Sequence, residues 1–443
     1  MTAPTSLWWA VPFLGLLLTI AFAPLVTPRL WHRHYGTLAG FWSLAFLLPQ
    51  AALQGPGAAG TALVDTVVSE YLPFALLLGS LYVITGGLRI TGAPEGAPAV
   101  NTAMLAVGAG LASLIGTPGA AMLMIRPLIR ANRHRQPSAH VFVFLILLVA
   151  NVGGALTPIG NPPLFLGFLA GVPFFWPLTH LWAPTLFVSA GLLVSFYALD
   201  HYIFHRCGNV NPPILPEIEK LGIDGVVNIA LLALVILAVL LRAFWRPAMA
   251  FHLGATRWNT AEIVADTLLA VAGMLSFALT SRETWQRNDF NWQPMIEVAI
   301  LFAGIFVTLI PVMAMIAAGS AGPMAPLFVR LMPGGVPNNR FFYWGTGLLS
   351  AVLDNAPSYL VFLHFAGANG EQVTAVRPET LGAISAAATF FGALTYLGNA
   401  PNLLIKAIAE RHGITMPHFF PYIAWTIVCL LPWLLLAQWL FFA

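Results

Sequence analysis

Two stretches of sequence decide the fold of this chain: GALTPIGNPPLFL at residues 154–166 and GALTYLGNAPNLL at residues 392–404. They align without gaps at a constant shift of 238 residues, and 8 of their 13 positions are identical. Chance similarity between apolar segments would match Leu and Ala, whereas these segments share a Thr-x-x-Gly-Asn-x-Pro core. The same shift superposes Gly116-Thr117 on Asp354-Asn355, where two other apolar segments are interrupted. We therefore predict an internal duplication.

The composition indicates that these segments lie in a membrane. Hydrophobic residues make up 59% of the 443 residues and charged residues only 8%, and the mean hydropathy is +0.83. A soluble domain carries about 25% charged residues, so lipid must be the solvent for most of this surface. Backbone groups in lipid must be satisfied within each segment, which predicts an all-α membrane protein. Ten apolar stretches have about the length of a span, near residues 7–27, 37–53, 68–88, 139–156, 181–204, 223–243, 261–280, 295–318, 380–395 and 418–441.

Two further apolar segments, at about residues 100–130 and 335–366, are interrupted by Gly-Thr-Pro-Gly and Asp-Asn-Ala-Pro. Gly and Pro free backbone polar groups there, so each break must be buried in protein or line a cavity. We interpret both segments as re-entrant hairpins, the first opening inward and the second outward. Each half then has five transmembrane helices and one hairpin, and the halves form an inverted repeat, as in many secondary transporters. The predicted parts are a first repeat at 1–205, a cytoplasmic linker at 206–222 and a second repeat at 223–443.

Basic residues orient this arrangement. With both hairpins re-entrant, 13 Lys and Arg residues fall in loops on one side of the membrane and 6 on the other. Cytoplasmic loops are enriched in Lys and Arg, so the richer side is predicted to be cytoplasmic and both termini to lie outside. We expect a protein of the bacterial inner membrane. No basic segment precedes the first apolar stretch, which is therefore interpreted as a span rather than a signal peptide.

Each repeat also contains a helix that must be broken near mid-membrane, at about residues 139–171 and 380–412. Around Gly160, three prolines remove backbone donors and clash with carbonyls one turn earlier. The segment around Gly398 repeats this pattern more weakly. Freed carbonyls with Thr and Asn oxygens suit sodium, and half-helix N-termini suit an anion. The alternative is that Gly-Asn-Pro only kinks the helix for packing.

Asp354 is the acidic residue at a hairpin break. A carboxylate within an apolar segment is costly and usually faces a cavity or a partner, so it can be a cation ligand or a proton carrier. The alternative is an N-cap for the helix that starts near Pro357, and both roles can hold. Its repeat mate, Gly116, has no side chain, so the two breaks cannot be equivalent.

Other ionisable residues have structural interpretations. Glu70 and Glu297 are predicted at interfacial helix starts, and Asp266 lies somewhat deeper. The basic cluster Arg126–Arg135 is interpreted as a topology anchor, with binding of anionic lipid as the alternative.

Four ordered motifs resemble the ion transporter superfamily. They are IGTPGAAMLMIRPL at residues 115–128, GALTPIGNPPLFLGFL at 154–169, LDNAPSYLVF at 353–362 and GALTYLGNAP at 392–401. The resemblance covers essentially the whole chain and is strongest to the bacterial citrate-transporter-like and sodium:proton-antiporter-like branch. Arsenite efflux pumps and divalent anion/sodium symporters are more distant relatives. The resemblance implies a homodimer, with a scaffold from the first spans of each half and a mobile part that carries the hairpins and broken helices by an elevator movement.

The resemblance also implies where ions bind, because superfamily sites lie where hairpin tips meet broken helices. The candidate residues are Thr117, Asn151, Thr157, Gly160, Asn161, Asp354, Asn355, Thr395, Gly398 and Asn399. Sodium is expected near all of them except Asn151 and Asp354. The carboxylate symporters carry Ser-Asn-Thr at both tips, which this chain lacks, and this weakens a citrate assignment. Antiporter-like relatives often have an acidic residue at the position of Asn161, which weakens sodium:proton exchange.

Together these features predict an ion-coupled secondary transporter for sodium, protons or both, with Asp354 as the charged group in its cavity. The alternative is a sodium-coupled symporter of citrate or another small anion. An enzyme would need a nucleophile–base pair or a metal cluster within the spans, which the sequence does not show. Cys207 and Cys429 are far apart and fit neither a disulfide framework nor a metal site. No cofactor besides the coupling ions is expected, lipids and small ions or anions are the expected partners, and loop basic residues do not indicate nucleic-acid binding.

Overall fold

The computed structural model describes residues 6–92, 95–206, 222–247, 249–253 and 256–443. Most of the predicted linker at 206–222, and Cys207 with it, lies outside the described residues. Within the described part almost all regular structure is helical, because helices satisfy their own backbone groups in an apolar chain.

The first half folds into helices separated by prolines and glycines. Its helices are α1 (Val11–Val26), α2 (Pro28–Gln54), α3 (Pro56–Thr66), α4 (Leu72–Gly86), α5 (Pro98–Ile115), α6 (Thr117–Asn132), α7 (Ala139–Leu148), α8 (Pro162–Leu169) and α9 (Trp176–Arg206). Short 3-10 turns are Leu7–Ala10 and Val152–Leu156, and a π-helical turn, Val67–Tyr71, joins α3 to α4.

That π-helical turn corrects one sequence prediction. Glu70 lies within it, in the middle of the continuous helical segment Pro56–Gly86, and not at a helix start. The helix begins earlier than predicted because Gly55, at φ 87°, ends α2 and Pro56 then takes the first helical position, where proline is well tolerated.

The second half repeats the succession of long helices, a hairpin and a broken helix. Its helices are α10 (Val227–Phe244), α11 (Thr260–Leu279), α12 (Arg282–Arg287), α13 (Gln293–Ala317), α14 (Ala325–Leu331), α15 (Asn339–Leu353), α16 (Asn355–Ala366), α17 (Gly370–Val376), α18 (Pro378–Phe391), α19 (Ala400–Arg411), α20 (Phe419–Cys429) and α21 (Leu431–Phe441). Two 3-10 turns, Gly319–Ala321 and Pro333–Gly335, flank α14.

Two small antiparallel sheets depart from the all-helical prediction. β1 (Arg89–Thr91) pairs with β2 (Gly222–Asp224), and β3 (Ala250–Leu253) pairs with β4 (Thr256–Asn259). Strands of three or four residues are too short to show a recognisable alternation in sequence.

The helices are sufficient for a multi-pass membrane protein, which confirms the predicted class. Nine helical segments among the described residues are long and apolar enough to cross a membrane, and α20 with α21, bent by 43°, would make a tenth. One of the nine is Pro98–Ile115, which the sequence analysis assigned to a hairpin arm. Length and composition alone do not distinguish such an arm from a span.

The two helices that were predicted to be broken form the centre of the molecule. The side chains from Val141 to Leu148 in α7 are 0% exposed, and nearly all those of α18 are buried as well. Side chains that are buried on every face of a helix have protein, and not lipid, all around them. α5 and α9 pack against α7, and α15 and α9 pack against α18.

A second group of helices, which we term the scaffold helices, comprises α1–α4 and α10–α13. Within this group α4 packs on α11, and α13 packs on α2. The scaffold helices contact the second arm of each hairpin, since α4 packs on α6 and α13 on α16, and α1 also contacts α15.

Candidate ion and substrate site

The two hairpin breaks have the same backbone conformation. Gly116 joins α5 to α6 with φ 79° and ψ 148°, and Asp354 joins α15 to α16 with φ 81° and ψ 146°. This region is sterically open to glycine and strained for other residues, at about 1–3 kcal/mol. The same unusual geometry at a shift of 238 residues supports the predicted duplication.

Asp354 offsets part of this strain by capping α16. Its Oδ1 accepts a hydrogen bond from the Ala356 amide at 3.2 Å, and Ser358 Oγ donates to the Asp354 carbonyl at 2.7 Å. The N-cap that the sequence offered as one interpretation is therefore present. Asp354 also lines the cavity described below, so capping does not exclude a second role.

Thr157 and Thr395 hold each broken helix against the hairpin of its own half. Each hydroxyl donates to a carbonyl in the last turn of the first hairpin arm, Ser113 O for the former and Ala351 O, at 2.5 Å, for the latter. Each also accepts from the amide of the glycine three residues later, at 3.2 Å in both halves. Last-turn carbonyls have no intrahelical partner, so these hydroxyls satisfy groups that the break would leave unpaired.

Glycines at the breaks allow two backbone segments to cross closely. A Cβ added at Gly160 would lie 2.3 Å from the carbonyl oxygen of Gly154, and one at Gly398 would lie 2.7 Å from that of Gly392. Any side chain would therefore push the segments apart. The Thr117 amide donates to Gly160 O at 2.8 Å, which places the first hairpin tip on the first break.

Buried asparagine side chains join the two halves. Asn355 Nδ2 donates to Asn161 Oδ1 at 3.1 Å, Asn399 Nδ2 donates to Asn151 Oδ1 at 3.1 Å, and Asn151 Nδ2 donates to Asn402 Oδ1 at 2.9 Å. The candidate residues of the two halves thus meet in one network. Asn402 was missed by the sequence analysis, although an amide in the first turn of an apolar helix, directly after Gly-Asn-Ala-Pro, was a signal for it.

Two oxygens at the hairpin tips have no hydrogen-bond partner in the described part of the chain. They are Thr117 Oγ1 and Asn355 Oδ1, on side chains that are 0% exposed, and the two residues are equivalent at the shift of 238. An unpaired buried polar group costs about 1–3 kcal/mol. Other unpaired hydroxyls exist, such as that of Thr346, but the tip oxygens adjoin the backbone freed at the breaks.

A cavity of about 70 Å³ lies between the scaffold helices and the hairpin tips. Tyr82 of α4 and Met295 of α13 form part of one wall, and the first turns of α6, α8, α16 and α19 form the other. Four helix N-termini, each with a partial positive charge, therefore face one small space. Asp354 and Asn399 also line it, and none of the described lining residues is Lys, Arg or His.

Two other acidic residues named from the sequence, Glu297 and Asp266, have partners away from the cavity. Trp31 Nε1 donates to Glu297 at 2.8 Å, and Arg242 pairs with Asp266 at 2.9 Å. In the described part of the chain, no three His, Cys, Asp or Glu side chains are placed to hold a metal ion. The groups that can receive a cation at the cavity are therefore uncharged oxygens and the Asp354 carboxylate.

One buried ion pair was not anticipated. Asp200 of α9 is 0% exposed and binds Arg135 at 2.5 Å, His140 at 2.8 Å and Asn101 at 3.0 Å. Arg135, interpreted from the sequence as part of a topology anchor, thus also ties the end of the first hairpin to α9.

Paired helix breaks around a cavity, in a multi-pass helical protein, define the class of membrane transporters. The chain belongs to the family described as "Putative citrate transport", whose sequence profile matches residues 2–442. Two curated relatives, from Mycobacterium bovis and Mycobacterium tuberculosis, are each named as an uncharacterized transporter. Each is 24% identical over 359 residues, which is 76% of this chain and 78% of the relative. The family and these names indicate a transporter rather than an enzyme, and the citrate-transporter-like resemblance is confirmed.

Proposed function

We propose that this protein is an ion-coupled secondary transporter of the bacterial inner membrane, coupled to sodium, protons or both. The observation that carries the proposal is the pair of unpaired buried oxygens, Thr117 Oγ1 and Asn355 Oδ1, at equivalent positions of the two hairpin tips. Unwound backbone and side-chain oxygens at broken helices are the ligands that secondary transporters use for sodium.

Each proposed sodium site combines a tip oxygen with the break of its own half. Thr117 would act with the backbone around Gly160, and Asn355 with the backbone around Gly398. The Thr157 and Thr395 hydroxyls already donate and accept within the protein, so we assign them the positioning of the break. The oxygen of Asn161 accepts from Asn355, which couples the first site to the second hairpin.

Asp354 is the charged group that the cavity offers to a coupling ion. It lies at the N-terminus of α16 and lines the same space as Asn399. A carboxylate in an apolar cavity can bind sodium or carry a proton in exchange, and this is the residue on which sodium:proton antiport would depend.

The proposed movement is of elevator type within an inverted repeat. The hairpins and broken helices would move against the scaffold helices, since the cavity lies between these two groups. The cavity adjoins the end of α4 and the start of α13, which the basic-residue bias places on the cytoplasmic side. We therefore propose an inward-facing arrangement, a homodimer joined through scaffold helices, and both termini outside.

A second candidate function is sodium-coupled symport of citrate or another small anion. The family description favours it, as do the three N-termini of α6, α8 and α19, which lack a carboxylate cap and face the cavity. Helix N-termini are ready-made anion sites because their amides and dipoles point at the ligand.

Flux through purified protein in proteoliposomes tests the proposal, with imposed sodium or pH gradients and with or without citrate. Sodium- or pH-driven ion exchange without citrate supports the first function, and sodium-dependent citrate uptake supports the second. Flux that responds to neither gradient, with and without citrate, would contradict both.

A further inference from the structure

Arg126, on the second arm of the first hairpin, is a half-buried cation bonded to backbone carbonyls. Its Nη2 donates to Asn288 O, and its Nη1 donates to Met122 O at 3.4 Å. Its Nε is buried and has no acceptor among the described residues. In the described part of the chain no carboxylate lies within ion-pair distance of it, and the nearest acid named by its electrostatics, Asp289, is exposed to solvent.

Two other shielded arginines of this protein are neutralised directly by a carboxylate. Arg135 pairs with Asp200 at 2.5 Å, and Arg242 pairs with Asp266 at 2.9 Å. Charged side chains in membrane proteins usually face a partner or a solute pathway. Arg126 has carbonyl partners but no carboxylate to neutralise it among the described residues, so its position relative to the cavity matters.

That position adjoins the cavity wall at the end of α4, and we term it the mouth of the cavity. Arg126 binds the loop at residues 288–292, between α12 and α13, and Tyr82 Oη, from the cavity wall, donates to Asn291 O of the same loop at 2.7 Å. The Asn288 side chain donates to backbone carbonyls at the end of α4 and fixes the loop there. An opening of the cavity at the end of α4 would therefore bring a solute to Arg126 and this loop.

We propose that the Nε–Nη2 edge of Arg126 binds a carboxylate of a small organic anion at this mouth. Arginine presents these two N–H groups side by side, and a carboxylate accepts both at once. At present the Nη2–H group donates to Asn288 O, and the Nε–H group has no acceptor among the described residues. A carboxylate that replaces the Asn288 carbonyl can accept from both groups. The carboxylate also brings the opposite charge and accepts two parallel bonds, where the neutral carbonyl accepts one, which favours the exchange. The inference rests on the second form of the proposed function, transport of an anion.

This site also gives the mouth a means of opening. When a carboxylate replaces Asn288 O on Arg126, the 288–292 loop loses its bond to the hairpin and keeps its bonds to α4. The hairpin is then released from the scaffold at this point, which is where an elevator movement would have to separate them.

Thermal unfolding of the purified full-length protein tests the site. Citrate, succinate or acetate is titrated at constant sodium and ionic strength, with chloride as the reference anion. For the wild type we expect at least one carboxylate to raise the melting temperature. Arg126→Gln should raise the apparent Kd for that carboxylate by about tenfold or more, while the sodium-dependent shift remains.

Arg130→Gln, one turn later on α6, is the matched control and should bind the carboxylate as the wild type does. If Arg126→Gln does not fold, Arg126→Lys keeps the charge without the paired N–H edge and should weaken binding in the same direction. Wild-type carboxylate binding in folded Arg126→Gln or Arg126→Lys, or no carboxylate effect on the wild type, overturns this inference. If a carboxylate raises the melting temperature through Arg126 but sodium does not raise it, the proposed sodium sites are contradicted and the Arg126 site stands.

Discussion

Thr117 and Asn355 occupy equivalent positions at the two hairpin tips, and each buries a side-chain oxygen without a partner. Their neighbours Thr157 and Thr395 are fully engaged. At the scale of single residues, the site therefore separates side chains that hold the breaks in place from oxygens that remain available to a ligand.

Replacing Thr117 by Val removes the available oxygen and keeps the shape. We expect no loss of stability without sodium, and a gain of up to about 1–3 kcal/mol, because the unpaired hydroxyl is removed. The rise in melting temperature on adding sodium should shrink. Thr346→Val removes an unpaired buried hydroxyl away from the tip and should keep the full sodium effect. An equal sodium response in both variants would argue that Thr117 is a packing residue.

The first hairpin, its following helix and α9 are joined at one end by the Asp200 cluster. Asn101 lies near the start of α5, Arg135 follows α6, and His140 lies in α7. The Asp200 carboxylate therefore joins α5, α7 and its own helix α9 to the linker that follows α6. No equivalent acid exists in the second half, where Gln438 occupies the position at the shift of 238. The two hairpins are therefore anchored differently.

Asp200→Ala tests this anchor. Removing one partner of a buried ion pair leaves a buried charge uncompensated, so we expect a loss of about 3–5 kcal/mol of folding stability. Glu410→Ala is the control, because its pair with Lys406 is partly exposed and should contribute about 0–1 kcal/mol. Thermal or denaturant unfolding of the purified variants measures both. Similar stabilities for the two variants would show that the cluster does not anchor the hairpin.

The elements show what sequence could and could not predict. Both hairpin breaks were located at Gly116 and Asp354, and the cap at Asp354 was foreseen as an alternative, because Gly, Pro and Asx residues act on the backbone locally. Asn402 and the Arg126–Asn288 contact were not foreseen, since their partners lie far away in sequence. The small strand pairs were missed because strands of three or four residues are too short to show an alternation in sequence. The breaks at the hairpin tips can be predicted from neighbouring residues in the sequence. The contacts between the two halves depend on tertiary packing and cannot.

At the scale of the molecule, the orientation of the two hairpins decides whether the repeat is inverted. A cysteine placed at residues 130–136, in a background without Cys207 and Cys429, should react with a membrane-impermeant reagent only from the cytoplasmic side. A cysteine at residues 333–339 should react only from outside, because the basic-residue bias places these loops on opposite faces. Labelling of both from the same side would contradict the inverted repeat.

The central claim, ion-coupled transport with Asp354 as the charged group of the cavity, is tested most directly by flux through Asp354→Asn in proteoliposomes. Asn caps a helix about as well as Asp, so the variant should fold and insert while losing the ionisable group. Flux driven by a pH gradient should then disappear, relative to the wild type in matched vesicles. Normal pH-driven flux in a folded Asp354→Asn protein would contradict the account and leave Asp354 as a helix cap.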